Sequence, residues 1–436
     1  SFGDMSMYTN TTGDHNTAFG YATLHLNTTA SNNTAVGSAA LLANTTGASN
    51  TAVGKSALTA NTTGAQNTAV GRDALLANTT GSNNTAVGIY ALDSNTGGGN
   101  NTALGNGALA SNTTASNNTA VGFSALLATT TGASNNAFGA YALDANTTGV
   151  QNNAFGTYAL SNSTTGQLNN AFGQQALEDC TTGDQNSAFG HDALRELTTA
   201  DYNSAFGSQA LGTNVTGGSN SAFGRQALFS LTNGGSNTAV GYQALKGVTT
   251  GGTNSALGHT AGDEISTGSN NLCLGYAAGS GSSPSGRITT GSNNVVLGNN
   301  SISNLYCADT SISGSDARDK TDVTDFTHGL SWIKELRPVT YRWDRRSWYT
   351  EDLNTKGIPD GSKKRERLHI GFLAQEFMEV EKKHGYADKK DNMLIVNQDE
   401  DETDPSYGIK YERLVPVLVN AIKELSAEVE QLKSQL

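Results

Sequence analysis

The sequence predicts a mostly β protein. A parallel β-roll or solenoid of seventeen-residue repeats is followed by a small α+β domain that ends in a long coiled-coil helix. Three observations carry this. An asparagine recurs from Asn16 through Asn33 and Asn50 to Asn271 at a constant interval of 17 residues. The composition changes abruptly near Ser315, and all three tryptophans (Trp332, Trp343, Trp348) lie beyond it. Apolar residues at the C-terminus alternate in steps of four and three.

The repeats occupy residues 16–298. Residues 1–15 read as a lead-in with a truncated start, and 299–314 as a linker. Each unit reads Asn-[Thr/Ser/Asn]-Ala-[Val/Phe/Leu]-Gly-x-x-Ala-Leu, then a polar return such as Asn44-Thr45-Thr46-Gly47. The first part is strand-like, and the return has turn chemistry, since Asn and Gly accept positive φ. A last copy at Asn294 is displaced by six extra residues. One unit buries only about three small side chains, so units must stack. Stacked as parallel strands about 4.8 Å apart, they would make a rod of about 80 Å.

Position four of the repeat is then expected to form a buried column. It runs from Val36 to Val121, through six phenylalanines (Phe138 to Phe223), to Val240. A leucine row (Leu41, Leu58, Leu75 onward) joins it and breaks at Gly262 and Gly279, where differently shaped coils are expected. Two coil geometries fit: a two-strand roll, or a coil with a short helical turn at Gly-x-x-Ala-Leu. The core per coil is thin, so some apolar positions are expected to meet across chains, with three chains sharing one axis. The Asn-x-Ala-x-Gly units resemble the β-roll heads of trimeric adhesins and repeats of phage tail fibres.

Several function classes recede. A net charge of −12 disfavours nucleic acid as a partner. Cys180, Cys273 and Cys307 are too few and too scattered for a disulfide framework or a zinc site, and no metal or cofactor is expected. No apolar run approaches the roughly 20 residues of a membrane span, so no membrane insertion is expected. No basic segment followed by an apolar one opens the sequence. Scattered acids such as Asp73, Asp144 and Asp192 read as solubilising charges.

Residues 315–436 read as a globular module. The stretch 330–343 mixes a helix with a strand after Pro338. The stretch 369–385 begins as a strand and continues as an amphipathic helix from Ala374. A helix over about 408–436 carries a heptad seam, with Leu418, Leu425 and Leu432 at one position and Val415, Ile422, Val429 and Leu436 at the other. β-branched residues at one position with Leu at the other favour two strands, so this seam does not itself imply a trimer.

Four motifs in this module carry a second resemblance. They are Ser-Asp-x-Arg-x-Lys at 315–320, Leu-Arg-Pro-Val-x-Tyr-x-Trp at 336–343, Gly-Phe-x-Ala-Gln-Glu at 371–376, and Tyr-x-x-Leu-Val-Pro-Val-x-Val-x-Ala-Ile-x-Glu-Leu at 411–425. Together they resemble the peptidase S74 family, the intramolecular chaperone domains at the ends of phage tail spikes and fibres. The resemblance implies a homotrimer whose C-terminal domain guides folding of the fibre and then cuts itself off between Gly314 and Ser315. Ser315 is the implied nucleophile and Lys320 its base, with Asp316 and Arg318 holding the loop. Gln375 and Glu376 belong to the chaperone motif, and Glu376 reads either as a trimer contact or as a solvated helix acid. A single-turnover self-cleavage is implied, with no external substrate. A cell-surface receptor or glycan is the implied further partner, and a virion or extracellular surface the location. Two other readings remain: a glycan-depolymerising spike whose enzymatic part lies outside this sequence, and a cell-surface fibre that keeps its chaperone uncut.

Overall fold

The structure is a computed structural model, and it describes residues 1–302, 323–344, 346, 349, 357–398 and 405–435. The chain divides into two units. One comprises Ser1–Ser283 and Arg287–Asn299, the other Pro284–Gly286 and Asn300–Leu436.

The first unit is the solenoid. Each coil contributes one three-residue strand, from β1 (Thr17–Phe19) and β2 (Thr34–Val36) to β16 (Leu272–Leu274) and β17 (Val295–Leu297). Successive strands pair in parallel and in register, Thr17 with Thr34 at one end and Leu272 with Val295 at the other. Identical repeat positions therefore stack, and the six extra residues of the last coil leave the ladder unbroken. The glycine after each strand is required twice over. Gly54 has φ of 139°, and a Cβ there would lie 2.4 Å from the carbonyl oxygen of Gly71 in the next coil.

Beyond that glycine the backbone is neither a second strand nor a helical turn. Positions seven and nine both take left-handed φ, 60° at Ser56 and 53° at Leu58. For leucine this conformation costs about 1–2 kcal/mol. Full burial of the side chain returns about 1.5–3 kcal/mol, and the Leu58 N–H donates to the Ala74 carbonyl of the next coil at 3.0 Å.

The core consists of alanines at positions three and eight and leucine at position nine. Position four is not in it, contrary to the sequence expectation. Ala35 and Ala52 are fully buried, whereas Val53 is 36% and Phe223 41% exposed. A strand alternates its faces, and the position that turns inward is the one that carries alanine from β1 to β15, with Cys273 and Val296 taking it in the last two strands. The neighbouring positions two and four must then point outward. The phenylalanines from Phe138 to Phe223 form an external ladder of near-parallel rings with centroids 4.6 to 4.9 Å apart.

Of the last coils, the one with Gly262 keeps the common path, the Gly262 N–H donating to the Ala278 carbonyl as that of leucine does elsewhere. The one with Gly279 departs from it in the insert that follows and closes at Ile288, whose N–H donates to the Gly279 carbonyl at 3.0 Å. Gly262 and Gly279 occupy the left-handed position that leucine holds elsewhere, with φ of 65° and 80°. Larger neighbours fill the leucine's space. A Cβ on Gly262 would meet Ile265 and Cys273, and one on Gly279 would meet Cys273 and Ile288. Cys273 stands where other coils have alanine, and Ile265 and Ile288 where many have asparagine.

The turn asparagines are buried rather than solvated. At position one, the Asn50 side-chain oxygen accepts the Asn67 N–H at 2.9 Å, and the Asn67 amide donates to the Gly81 carbonyl at 2.9 Å. At position twelve, the Asn61 amide donates to Asn44 and Asn78 donates to Asn61. Two amide ladders thus run through the solenoid. The second one fails where its residue type changes. The side-chain oxygens of Asn112 and Asn146 have no partner, because Thr129 and Ser163 in the following coils supply no amide. Leu197, Leu231, Val248 and Ile265 then replace it with an apolar column.

The second unit runs α1 (Leu330–Glu335), β18 (Val339–Tyr341), β19 (His369–Gly371), α2 (Ala374–Lys383), β20 (Val396–Gln398), β21 (Tyr407–Ile409) and α3 (Leu414–Ser434). β18 pairs antiparallel with β19, and β20 with β21. The core gathers Trp332, Phe377, Val380, Ile395, Val396, Leu414 and Val417. The terminal helix starts later than 408. Residues 407–409 are held as strand by β20, and a 3-10 turn (Tyr411–Arg413) leads into α3. Pro416 sits in the first turn of α3, where its missing N–H costs nothing.

Candidate functional site

The cleavage-site residues Gly314, Ser315, Asp316, Arg318 and Lys320 lie outside the described residues. The other three motifs are described, and the fold brings them together. The antiparallel pairing of β18 and β19 sets Val339 against Gly371 and Tyr341 against His369, which joins the Leu-Arg-Pro-Val stretch to Gly-Phe-x-Ala-Gln-Glu. Arg337 from the first reaches Glu376 from the second in a two-pronged ion pair, one arm of which is Nε to Oε2 at 3.2 Å. Glu376 therefore has a partner in its own chain. The pair holds the Arg337 guanidinium above its ordinary pKa by hydrogen bonding to the carboxylate. Gln375 is exposed in the first turn of α2.

The third link runs through Tyr411, the residue that opens the last motif. Its hydroxyl accepts the Phe372 N–H at 3.1 Å. Glu424, near the end of that motif, accepts the first N–H of α1 from Leu330 at 2.7 Å, and Asn420 donates to the Phe326 carbonyl. Motif residues of α3 thus hold the start of α1, a few residues downstream of the cleavage motif in sequence.

Sequence reasoning gave these residues a motif but no role, and it missed Glu381 altogether. This carboxylate is fully buried and accepts the N–H groups of Leu394, Ile395 and Val396 at 3.1, 2.7 and 3.1 Å. The signal was there. Glu381 falls on the stripe of α2 that otherwise carries Ala374, Phe377 and Met378, and an acid on an apolar stripe needs buried partners.

α3 separates two faces. Leu414, Val417 and Ala421 are buried in their own domain. The heptad seam is not: Leu418, Ile422, Leu425, Val429 and Leu432 are all exposed, Ile422 at 66%. The seam read from the sequence is therefore a stripe distinct from the one that packs intramolecularly.

Residues 315–386 match the family model of peptidase S74, described as the chaperone of endosialidase. The C-terminal unit carries a chaperone of this family. No curated protein matches the chain. The match begins at Ser315 and spans the first three motifs. The fourth lies beyond it and is tied in by Tyr411, Asn420 and Glu424. Among the described residues no group of His, Cys, Asp and Glu is placed to hold a metal ion, and no helix is long and apolar enough to cross a membrane.

Proposed function

We propose that the chain is a trimeric, tail-fibre-type protein whose S74 domain assembles three copies and then detaches itself. The observation that carries this is the exposed heptad seam of α3 on a domain of the chaperone family. With Val415, also exposed, six apolar side chains lie in a row on one helix face and lose stability in water unless other copies cover them. The number three comes from the family, since the seam's residue types alone favour two. The solenoid is the fibre body, and its location is a virion or another extracellular surface, where it meets a receptor or a glycan.

Self-cleavage follows a balanced route. Neutral Lys320 takes the proton of the Ser315 hydroxyl, and Oγ attacks the carbonyl carbon of Gly314. The C–N bond breaks and the Ser315 nitrogen takes a proton, leaving an ester between Gly314 and Ser315 Oγ. Water hydrolyses the ester to a Gly314 carboxylate and a free Ser315 hydroxyl. The lysine acts as base only with a lowered pKa, which desolvation or a neighbouring cation such as Arg318 supplies. Gly314 leaves the carbonyl unshielded.

Denaturing electrophoresis and intact mass of the purified protein test this. The unmutated chain should give a fragment beginning at Ser315. Ser315→Ala and Lys320→Ala should give one uncut species of 45.1 kDa that sediments as a trimer. Two fragments from Ser315→Ala would remove Ser315 from the mechanism. A single uncut species from the unmutated chain would favour a fibre that retains its chaperone.

A further inference from the structure

Within the solenoid unit, among the described residues, one face of the sheet is left uncovered. Positions two and four of every strand point outward from a parallel sheet of seventeen strands. Parallel sheets occur almost only with both faces covered. Position four on this open face is apolar in every coil, and no outward strand position in any coil carries a charge. Charged residues fall on other parts of the repeat, as with Lys55, Arg72, Glu178 and Arg195.

The two outward columns also change together at two boundaries, β7 to β8 and β13 to β14. Thr-Ala-Val or Thr-Ala-Leu fills β2 to β7. Asn-Ala-Phe fills β8 to β10, and Ser-Ala-Phe fills β11 to β13, before Thr-Ala-Val returns at β14. β1, Thr17-Ala18-Phe19, combines threonine with phenylalanine, β15 combines serine with leucine, and β16 and β17 are apolar at both positions. Solvated neighbours on an open surface have no need to change in concert. Residues packed against a common partner do, because a change in one alters the packing open to its neighbour.

We propose that this face is the surface on which copies of the same chain meet, coil against coil around a common axis. This rests on the oligomeric reading above and adds where the solenoids touch. Seventeen strands about 4.8 Å apart make a face about 80 Å long. At a width of about 10 Å this offers about 800 Å² per copy, the size per partner of a standard stable interface. A partner must present apolar groups at the coil spacing over that whole length, and a second copy does so automatically. The phenylalanine block then works as a register key. In register it meets itself, and each coil of slip sets more valines against phenylalanines.

Disulfide trapping in the full chain tests the proposal. Val53→Cys places a thiol on the face, and Ser94→Cys places one on the facing leg of a coil. Cys180 and Cys273 are buried, and the unmutated chain controls for Cys307. Under mild oxidation Val53→Cys should give a linked dimer on a non-reducing denaturing gel, at about tenfold or more the yield of Ser94→Cys. An oligomer that gives no such dimer, or equal yields from both variants, overturns the proposed face and leaves the oligomeric reading standing. A chain that sediments as a monomer overturns both. Mixed Val53→Cys and Val87→Cys chains, two coils apart, should link less than either alone, and equal linking would overturn the coil-for-coil register.

Discussion

Asn67 and Asn214 are the same residue type in buried positions, and the structure gives them different expectations. Replacing Asn67 with leucine strands the Asn84 N–H, which it serves at 3.0 Å, and leaves the Gly81 carbonyl with the Asn78 amide alone. One buried unpaired donor costs on the order of 1–3 kcal/mol. Asn214 bonds only within its own turn, to the carbonyl and N–H of Gly217, and lies between Leu197 and Leu231 in the stacked column. Asn67→Leu should lower the thermal midpoint of the repeats and accelerate amide exchange at Asn84, whereas Asn214→Leu gives up its two bonds to Gly217 but gains apolar contact with Leu197 and Leu231, and should change the midpoint less. Asp263 adds a pH term. Burial, reinforced by Glu264, raises its pKa to about 6, and one carboxylate oxygen is buried without a partner. The folded state then holds a proton that the unfolded chain releases between about pH 4 and 6, so this group's contribution to stability falls as pH rises through that window. Asp263→Asn should flatten that slope and raise the midpoint at about pH 7.5, as melts at about pH 4.5 and 7.5 would read.

At the scale of elements, α2 and the β20–β21 hairpin depend on one side chain. Glu381 closes three N–H groups at the start of β20, so Glu381→Ala should cost about 3 kcal/mol or more and loosen the hairpin. Proteolysis between α2 and α3, faster than in the unmutated chain, is the readout. A hairpin as well protected as before would mean that other contacts hold it. This element also shows where sequence reading stops. The helix from Ala374, the strand after Pro338 and the heptad seam were legible because each has its own period or a proline that bounds it. The inward face of the three-residue strands was not. Alternation tells that Ala and its neighbours face opposite ways, and the bulk of Val and Phe argued for placing them inside. Which of the two faces turns inward is a property of the coil and not of the strand. The coil also buries the asparagines of the Asn-Thr-Thr-Gly turns, which look solvent-loving in isolation, while Thr46 and Thr63 of the same turns stay exposed. At the cleavage motif, the spacing of Ser315 and Lys320 gained meaning from the other three motifs, which the fold joins through Arg337, Glu376 and Tyr411.

Across the whole molecule the contacts of the repeats are local and those of assembly are not. Each coil touches neighbours 17 residues away, so a single chain can nucleate anywhere and propagate. Within the run from β2 to β7, however, one coil differs little from the next at its outward strand positions, and chains that meet there gain almost as much out of register as in it. The C-terminal unit has no such degeneracy, since α1, α2 and α3 interlock through single contacts such as Leu330 with Glu424. Three copies joined at the α3 seam would start their solenoids from one defined coil. If the S74 domain sets the register and is then removed, the finished fibre holds its assembly kinetically. The cut protein and the uncut Ser315→Ala chain should then differ in refolding and not in resistance to unfolding. After full denaturation and dilution, Ser315→Ala should regain trimers on sedimentation, whereas the separated repeat fragment should give slipped or aggregated species, with trimer yield lower by about tenfold or more. Equal yields from the two would mean that the repeats find their register without the C-terminal unit, through the phenylalanine block and the long last coil alone.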